Sequence, residues 1–346
     1  MLQNFIHNKT LSVLVKTKGK ISQKIWGGLG HVFMLHRILP LEQKNEFNWN
    51  KSLAITPEGL EKWIIYFKQN HYDFWSVEQL NECLQNKIKP TKKFVVLTID
   101  DGYKDNLVYG LPVIEKHQVP LSIFVTSCFP NQTANYWWYL LENHMLKSNQ
   151  IELLDGTTFS WENTTEAQKK SVKVREIVKA YTHQQFNDWV QTKVLDGEKL
   201  NTNWQKSLAL SWEDIATLAQ HPLITIGGHT LNHLSLKAQD AAVAEKEIKD
   251  NKEEIENHIH QKIHHFVYPY GSLNDAGKRE YEILQKVGYK TGFLNHPGNV
   301  FYPQNNLDFY KIPRMGLTDE TPMERIENIR NGIFHFSTNG FKKIVD

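Results

Sequence analysis

The chain has 346 residues with 40 basic and 38 acidic side chains and a formal charge of +2. It is long enough for a substantial hydrophobic core, and it has no basic run interleaved with aromatics of the kind that nucleic acid requires. Two cysteines, Cys83 and Cys128, exclude a disulfide framework and a cysteine-rich metal site and suit a reducing compartment.

Residues 1–28 read as a polar, lysine-bearing extension whose longest apolar piece, Leu11 to Val15, is too short for a signal core. No window reaches the roughly eighteen apolar residues of a membrane-spanning helix. The expectation is a cytoplasmic protein, with Lys16, Lys18, Lys20 and Lys24 leaving peripheral contact at the inner face of a membrane open.

From residue 29 onward a strand-then-helix rhythm predicts one α/β domain, 29–346, with mostly parallel strands. His31 to Leu39 reads as the first strand. Thr56-Pro57-Glu58 is a helix start, a hydroxyl cap followed by proline at the first helical position, and the helix runs to about Asn70. A short strand at Tyr72 to Trp75, a helix opening at Ser76, a strand at Phe94 to Ile99, a helix around Leu107 to His117 and a strand at Leu121 to Val125 follow. About residues 131–220 the rhythm breaks, and the Trp, Gln, Lys and Glu content with helical spacing reads as a helical insertion. It resumes with a strand at Leu223 to Ile226, an amphipathic helix carrying Val243, Ile248, Ile255 and Ile259, and a strand at His264 to Tyr268. The last signals are Tyr281 to Val287, Tyr289 to Leu294, Phe309 to Ile312 and a helix near Pro322 to Arg330.

Chemistry gathers where strands end. Thr98-Ile99-Asp100-Asp101-Gly102 delivers two carboxylates into a turn that Gly102 permits, so one can bind a metal while the other stays free as a base. Gly227-Gly228-His229-Thr230-Leu231-Asn232-His233 supplies two imidazoles four positions apart, which a helical turn would stack on one side. With the aspartate they make a plausible open zinc site. Tyr268-Pro269-Tyr270-Gly271 and Arg314 also follow strands directly, and in an α/β barrel such ends share one face.

These motifs resemble those of the polysaccharide deacetylase family, the metal-dependent carbohydrate esterases with a NodB-homology domain, from about His31 to Leu317. Thr98 to Gly102 is similar to the first family motif, His229, Thr230 and His233 to the second, Pro269-Tyr270-Gly271 to the end of the third, and Leu35-His36-Arg37 to an opening Tyr-His-Arg. The resemblance implies a deformed (β/α) barrel and a hydrolase that removes N-acetyl groups from a sugar unit of a glycan or a lipid-linked glycan precursor. It implies Asp100 as general base, a nucleophilic water on a divalent metal, most simply Zn2+, and Asp101, His229 and His233 as the metal ligands. The Tyr270 N–H would stabilise the oxyanion.

Two features depart from the family pattern. The arginine that opens the third motif is missing, and Arg314 either takes its role or forms an ordinary surface ion pair. The late histidine that serves as general acid has no clean match. His296 is the better placed candidate, on a loop after a strand, and His335 is the other. His36, Trp137 and Trp138 are candidates to line the substrate cleft, while Tyr136, Trp161 and Trp204 suit either sugar stacking or core packing. Deformylation or cleavage of another small amide on the same scaffold, and a non-catalytic glycan-binding relative, stay open as alternatives.

Overall fold

Continuous apolar runs rather than alternating ones mark strands covered on both faces, as parallel strands between helices are. In the computed structural model, which describes residues 22–195 and 202–345, those runs form one all-parallel sheet. Its strands are β1 (Gly30–Leu35), β2 (Asp73–Phe74), β3 (Phe94–Ile99), β4 (Leu121–Val125), β5 (Ile224–Gly228), β6 (His265–Val267), β7 (Thr291–Leu294), β8 (Ile312–Pro313) and β9 (Met315–Gly316). Every residue of β1, β3 and β4 is buried. Most of the 1–28 extension, including Lys16, Lys18 and Lys20, lies outside the described residues.

The order across the sheet is β8-β7-β6-β5-β4-β3-β1-β9, with β2 beside β3. Its two edges, β8 and β9, are separated in sequence by Arg314 alone. One edge pairs with β7 through Phe293 and Ile312, and the other pairs with β1 through Phe33 and Met315. The sheet therefore curls into a nearly closed barrel, and Arg314 sits on the seam. Register aligns the strand C-termini: Leu35 lies beside Ile99, Ile99 beside Ile123, Val125 beside Gly228 and Gly228 beside Phe266. Whatever follows those residues emerges on one rim.

The surrounding helices start as their caps dictate. In α1 (Pro57–Gln69) the Thr56 side chain accepts the Gly59 N–H, and Leu60, Trp63, Ile64 and Phe67 turn one apolar face inward. Helix α2 (Val77–Gln85) opens on a reciprocal cap between Ser76 and Gln79. Helix α3 (Leu111–His117) precedes β4. Between β5 and β6 runs α6 (Ala241–Ile259), capped by Asp240; it buries Ile248, Ile255 and Ile259, whereas Val243 is exposed. Helix α7 (Lys278–Val287) leads into β7.

The expected insertion is built mainly of helices, among them α4 (Trp137–Lys147) and α5 (Thr164–Val178), and also holds a hairpin, Gln150–Glu152 against Thr158–Ser160. It has its own core of Trp137, Trp138, Trp161, Phe186 and Trp189. Tyr136 belongs to that core and Trp204 packs against it. The helix Trp212–Ala219 instead packs Ile215 and Leu218 into the barrel's core. No helix among the described residues is long and apolar enough to cross a membrane.

Candidate active site

The acidic pair leaves β3 where pairing with β1 ends: the Asp100 N–H donates to Leu35 O at 3.0 Å. Asp101 then adopts φ 78° and Gly102 φ 93°, so the chain turns sharply and the two carboxylates part. Aspartate tolerates this left-handed region better than most residues, and glycine enters it freely.

Asp100 is 2% exposed and faces the seam. Arg314, 1% exposed, holds both of its oxygens, Nη1 to Oδ1 at 2.7 Å and Nη2 to Oδ2 at 2.8 Å. The same Nη1 donates to Thr98 Oγ1 at 2.9 Å. Arg314 therefore forms a buried two-pronged ion pair, not the surface pair that the sequence left open. Burial pushes the Asp100 carboxyl up, but the guanidinium outweighs it and holds the group below its ordinary value.

Asp101 presents Oδ1 to both imidazoles, 3.3 Å from His229 Nε2 and 3.3 Å from His233 Nε2. The histidines do not ride on a helical turn, as their spacing suggested, but on a loop after β5 in which Thr230 (φ 66°) and His233 (φ 56°) are left-handed. His229 Nδ1 lies 2.8 Å from Val267 O, which can only accept, so Nδ1 carries a proton and Nε2 is the ring nitrogen turned to Asp101.

Helix α6 braces this loop. Asn251 accepts the His229 N–H at 3.0 Å and donates to Val125 O and Ser127 Oγ. Glu247 accepts from Asn232 at its backbone and at its side chain. Neither residue is evident as a support in the sequence. The signal that could have found them is two polar residues four apart on the face of α6 that also carries Ala244, Ile248 and Ile255.

One ligand atom from each of Asp101, His229 and His233 can be chosen so that all lie within 4.8 Å of one another. Asp101 Oδ1 is buried without a hydrogen-bond partner, and so is His233 Nδ1. A buried carboxylate oxygen 3.3 Å from each of two imidazole nitrogens is a donor set that a divalent cation satisfies. Burial raises the Asp101 carboxyl, yet the two imidazoles hold it well below the usual carboxylate range. Burial depresses His233 more than Asp101 raises it, which keeps that ring neutral and able to donate its lone pair.

A cavity of about 450 Å3 opens over these donors, lined by Asp100, Asp101, His229, His233, Arg314, Tyr270, His36, Trp137 and Trp138 among others. Tyr270 is left-handed (φ 61°), its ring packs edge-on to His233 at 5.0 Å, and its N–H has no acceptor among the described residues. The turn needs Gly271, because at φ 65° a Cβ there would lie 2.6 Å from Asn295 N. Trp138 lies 5.5 Å from the His233 ring, so it serves both the insertion's core and the cavity wall. Strand β1 stops at Leu35, not at Leu39 as expected, and this break releases His36 into the cavity.

The two expected proton donors are elsewhere. His296 is not among the cavity residues and bonds Asn339 Oδ1 at 2.8 Å. His335 is fully buried between the Asn299 N–H and Lys342 O. Their positions after strand and helix signals carried no information about which side of the chain they face.

Comparison with known proteins agrees with this fold. YxkH of Bacillus subtilis (strain 168), a protein named for the polysaccharide deacetylases, is 22% identical over 274 residues, 79% of this chain and 70% of that one. Among solved structures, the Streptococcus pyogenes deacetylase PplD in complex with acetate superposes with a TM-score of 0.57 at 16% identity, covering 87% of this chain and 97% of its own. IcaB from Ammonifex degensii gives 0.55 at 17% identity, with 88% and 98% covered. A de-N-acetylase from Aggregatibacter actinomycetemcomitans gives 0.56 at 15%, with 86% and 98% covered. At such identities these structures establish the shared barrel. The family assignment comes from the sequence profile described as Polysaccharide deacetylase, which matches residues 87–292 and takes in the acidic turn, the histidine loop and the Pro269-Tyr270-Gly271 turn. Because that span is more than half of the chain, the protein belongs to the polysaccharide deacetylase family of hydrolases.

Proposed function

We propose that the protein hydrolyses the N-acetyl group of an amino-sugar unit in a glycan or a lipid-linked glycan precursor, with a divalent cation held by Asp101, His229 and His233. The observation that carries this reading is the juxtaposition in one cavity of a three-donor set and a separate carboxylate, Asp100, whose orientation Arg314 dictates. When bound, the cation, zinc by the nitrogen and oxygen character of its donors, supplies the Lewis acidity that acidifies water and polarises an amide carbonyl.

The protein's own groups do the rest. Asp100, ionised and held in place, accepts the proton of the water that attacks the carbonyl carbon. The free Tyr270 N–H offers a hydrogen bond to the oxygen as negative charge builds on it. As the C–N bond breaks, the sugar amine must gain a proton, and His36 is our choice of donor. It lines the cavity together with both aspartates, unlike His296 and His335. Trp137 and Trp138 would offer apolar surface to the sugar.

Cys83 and Cys128 are free and buried, which supports a cytoplasmic step before export. The experiment that tests the function is release of acetate from N-acetylglucosamine oligomers, run beside the N-formyl analogues. Acetate in step with free amine is expected. Formate release alone would replace the reading with deformylation, and release of neither would overturn it.

A further inference from the structure

The cavity wall contributed by the insertion carries a cation with no carboxylate at ion-pairing distance. Arg175 of α5 lines the cavity together with Lys179, four residues on and therefore on the same side of the chain. Lys179 is matched, pairing with Asp275 at 3.3 Å and Glu176 at 3.1 Å. Arg175 makes no ion pair among the described residues. Its Nη2 donates to the Asn50 side-chain oxygen at 2.7 Å, its guanidinium lies 5.9 Å from the Trp137 ring centroid, and its Nε is buried with no hydrogen bond.

The other charges nearby are committed. Asp100 is held by Arg314, and Asp101 faces the two histidines. Asp275 accepts from Ser235 and Ser272 as well as pairing with Lys179. Glu142, the carboxylate whose field reaches Arg175, spends its oxygens on the N–H groups of Asn48 (3.1 Å) and Asn50 (2.8 Å). A half-buried guanidinium left unmatched in a substrate cavity costs folding free energy that an arriving anion offsets. Its planar fork suits two oxygens of a phosphate or a carboxylate.

We infer that Arg175 is a specificity-determining residue that selects an acetamido sugar carrying an oxyanion beside the unit to be deacetylated. The oxyanion is a phosphate ester, as in an activated or lipid-linked precursor, or the carboxylate of an acidic sugar. This rests on the deacetylase reading and narrows its substrate class.

The test compares the metal-loaded full chain with R175Q and R175K on three probes: neutral di-N-acetylchitobiose, N-acetylglucosamine 1-phosphate, and a disaccharide of glucuronic acid and N-acetylglucosamine. The native protein is expected to favour at least one charged probe through a lower KM. R175Q is expected to lose about tenfold more kcat/KM on that probe than on the neutral one, and R175K to recover part of the difference. The charged probe that responds identifies the source of the oxyanion. Equal losses on neutral and charged probes, or a native preference for the neutral one, would overturn the inference and leave Arg175 as a brace for Asn50. Calorimetric binding of the same probes separates the two readings. Arg175-dependent binding of a charged probe without turnover contradicts only the hydrolase, and absence of such binding contradicts the selectivity.

Discussion

Arg314 and Asp100 meet through two parallel hydrogen bonds, 2.7 and 2.8 Å long, at the one place where the barrel wall changes partners from β7 to β1. The residue that closes the sheet thus also orients the carboxylate proposed as base. Removing the guanidinium strands a buried charge, so R314M is expected to lose about 3–5 kcal/mol of stability. The double variant D100N/R314M should recover part of that loss in denaturant melts. Additive losses would mean that the pair is not coupled.

Asp100→Asn keeps the shape of the side chain and removes its basicity. Turnover is expected to fall by about 10²–10⁴-fold with metal content unchanged. Metal analysis beside acetate release checks both halves, and undiminished turnover would dismiss Asp100 as base.

The same carboxyl dictates an acid-side pH dependence. Its folded value lies below the ordinary one, so its contribution to stability is fully present above the unfolded value of about 3.9 and is lost as pH falls through the lower folded value. Urea melts of native protein and D100N should therefore converge as pH drops below about 4. Curves that stay parallel across that range would show that Arg314 does not depress the group.

Proton donation separates three histidines. His36→Gln is expected to lower kcat by about 10²–10⁴-fold, whereas His296→Gln, whose ring bonds Asn339 outside the cavity, should keep kcat within a few-fold. His335→Gln should show up first as a lower melting temperature, because its ring is fully buried between two backbone groups. A collapse of kcat in His296→Gln with His36→Gln intact would reverse the assignment.

The loop that carries the histidines depends on α6. Asn251→Leu removes one of the two acceptors of the His229 N–H, Val125 O being the other, and is expected to weaken metal binding by about 10–100-fold, as losses in the shell around a metal do. Competition against a chromogenic chelator measures it, and unchanged affinity would show that the loop holds its shape unaided.

The barrel was legible because its strands are uninterrupted apolar runs with turn residues at their ends. The apolar runs Phe94 to Ile99 and Leu121 to Val125 coincide end to end with β3 and β4. The position of the acidic turn on the rim followed from that. What sequence could not show were features that carry no period. The seam strand Met315–Gly316 is two residues long and is defined only by its partner on β1. A spacing of four suggested a helix for His229 and His233, yet Thr230 and His233 sit in the left-handed region, at a cost of about 1–3 kcal/mol each that the surrounding bonds must hold. Glu247 and Asn251 lie on the apolar face of α6, and only the packed structure shows which groups they hold.

The central claim is that Asp101, His229 and His233 bind one divalent cation together. Calorimetric titration of zinc into the chelator-stripped full chain tests it directly, with the variant D101N/H229Q/H233Q in parallel. One site per native chain and none in the variant is the expected result. Equal zinc uptake by both proteins, or none by the native chain, would contradict it.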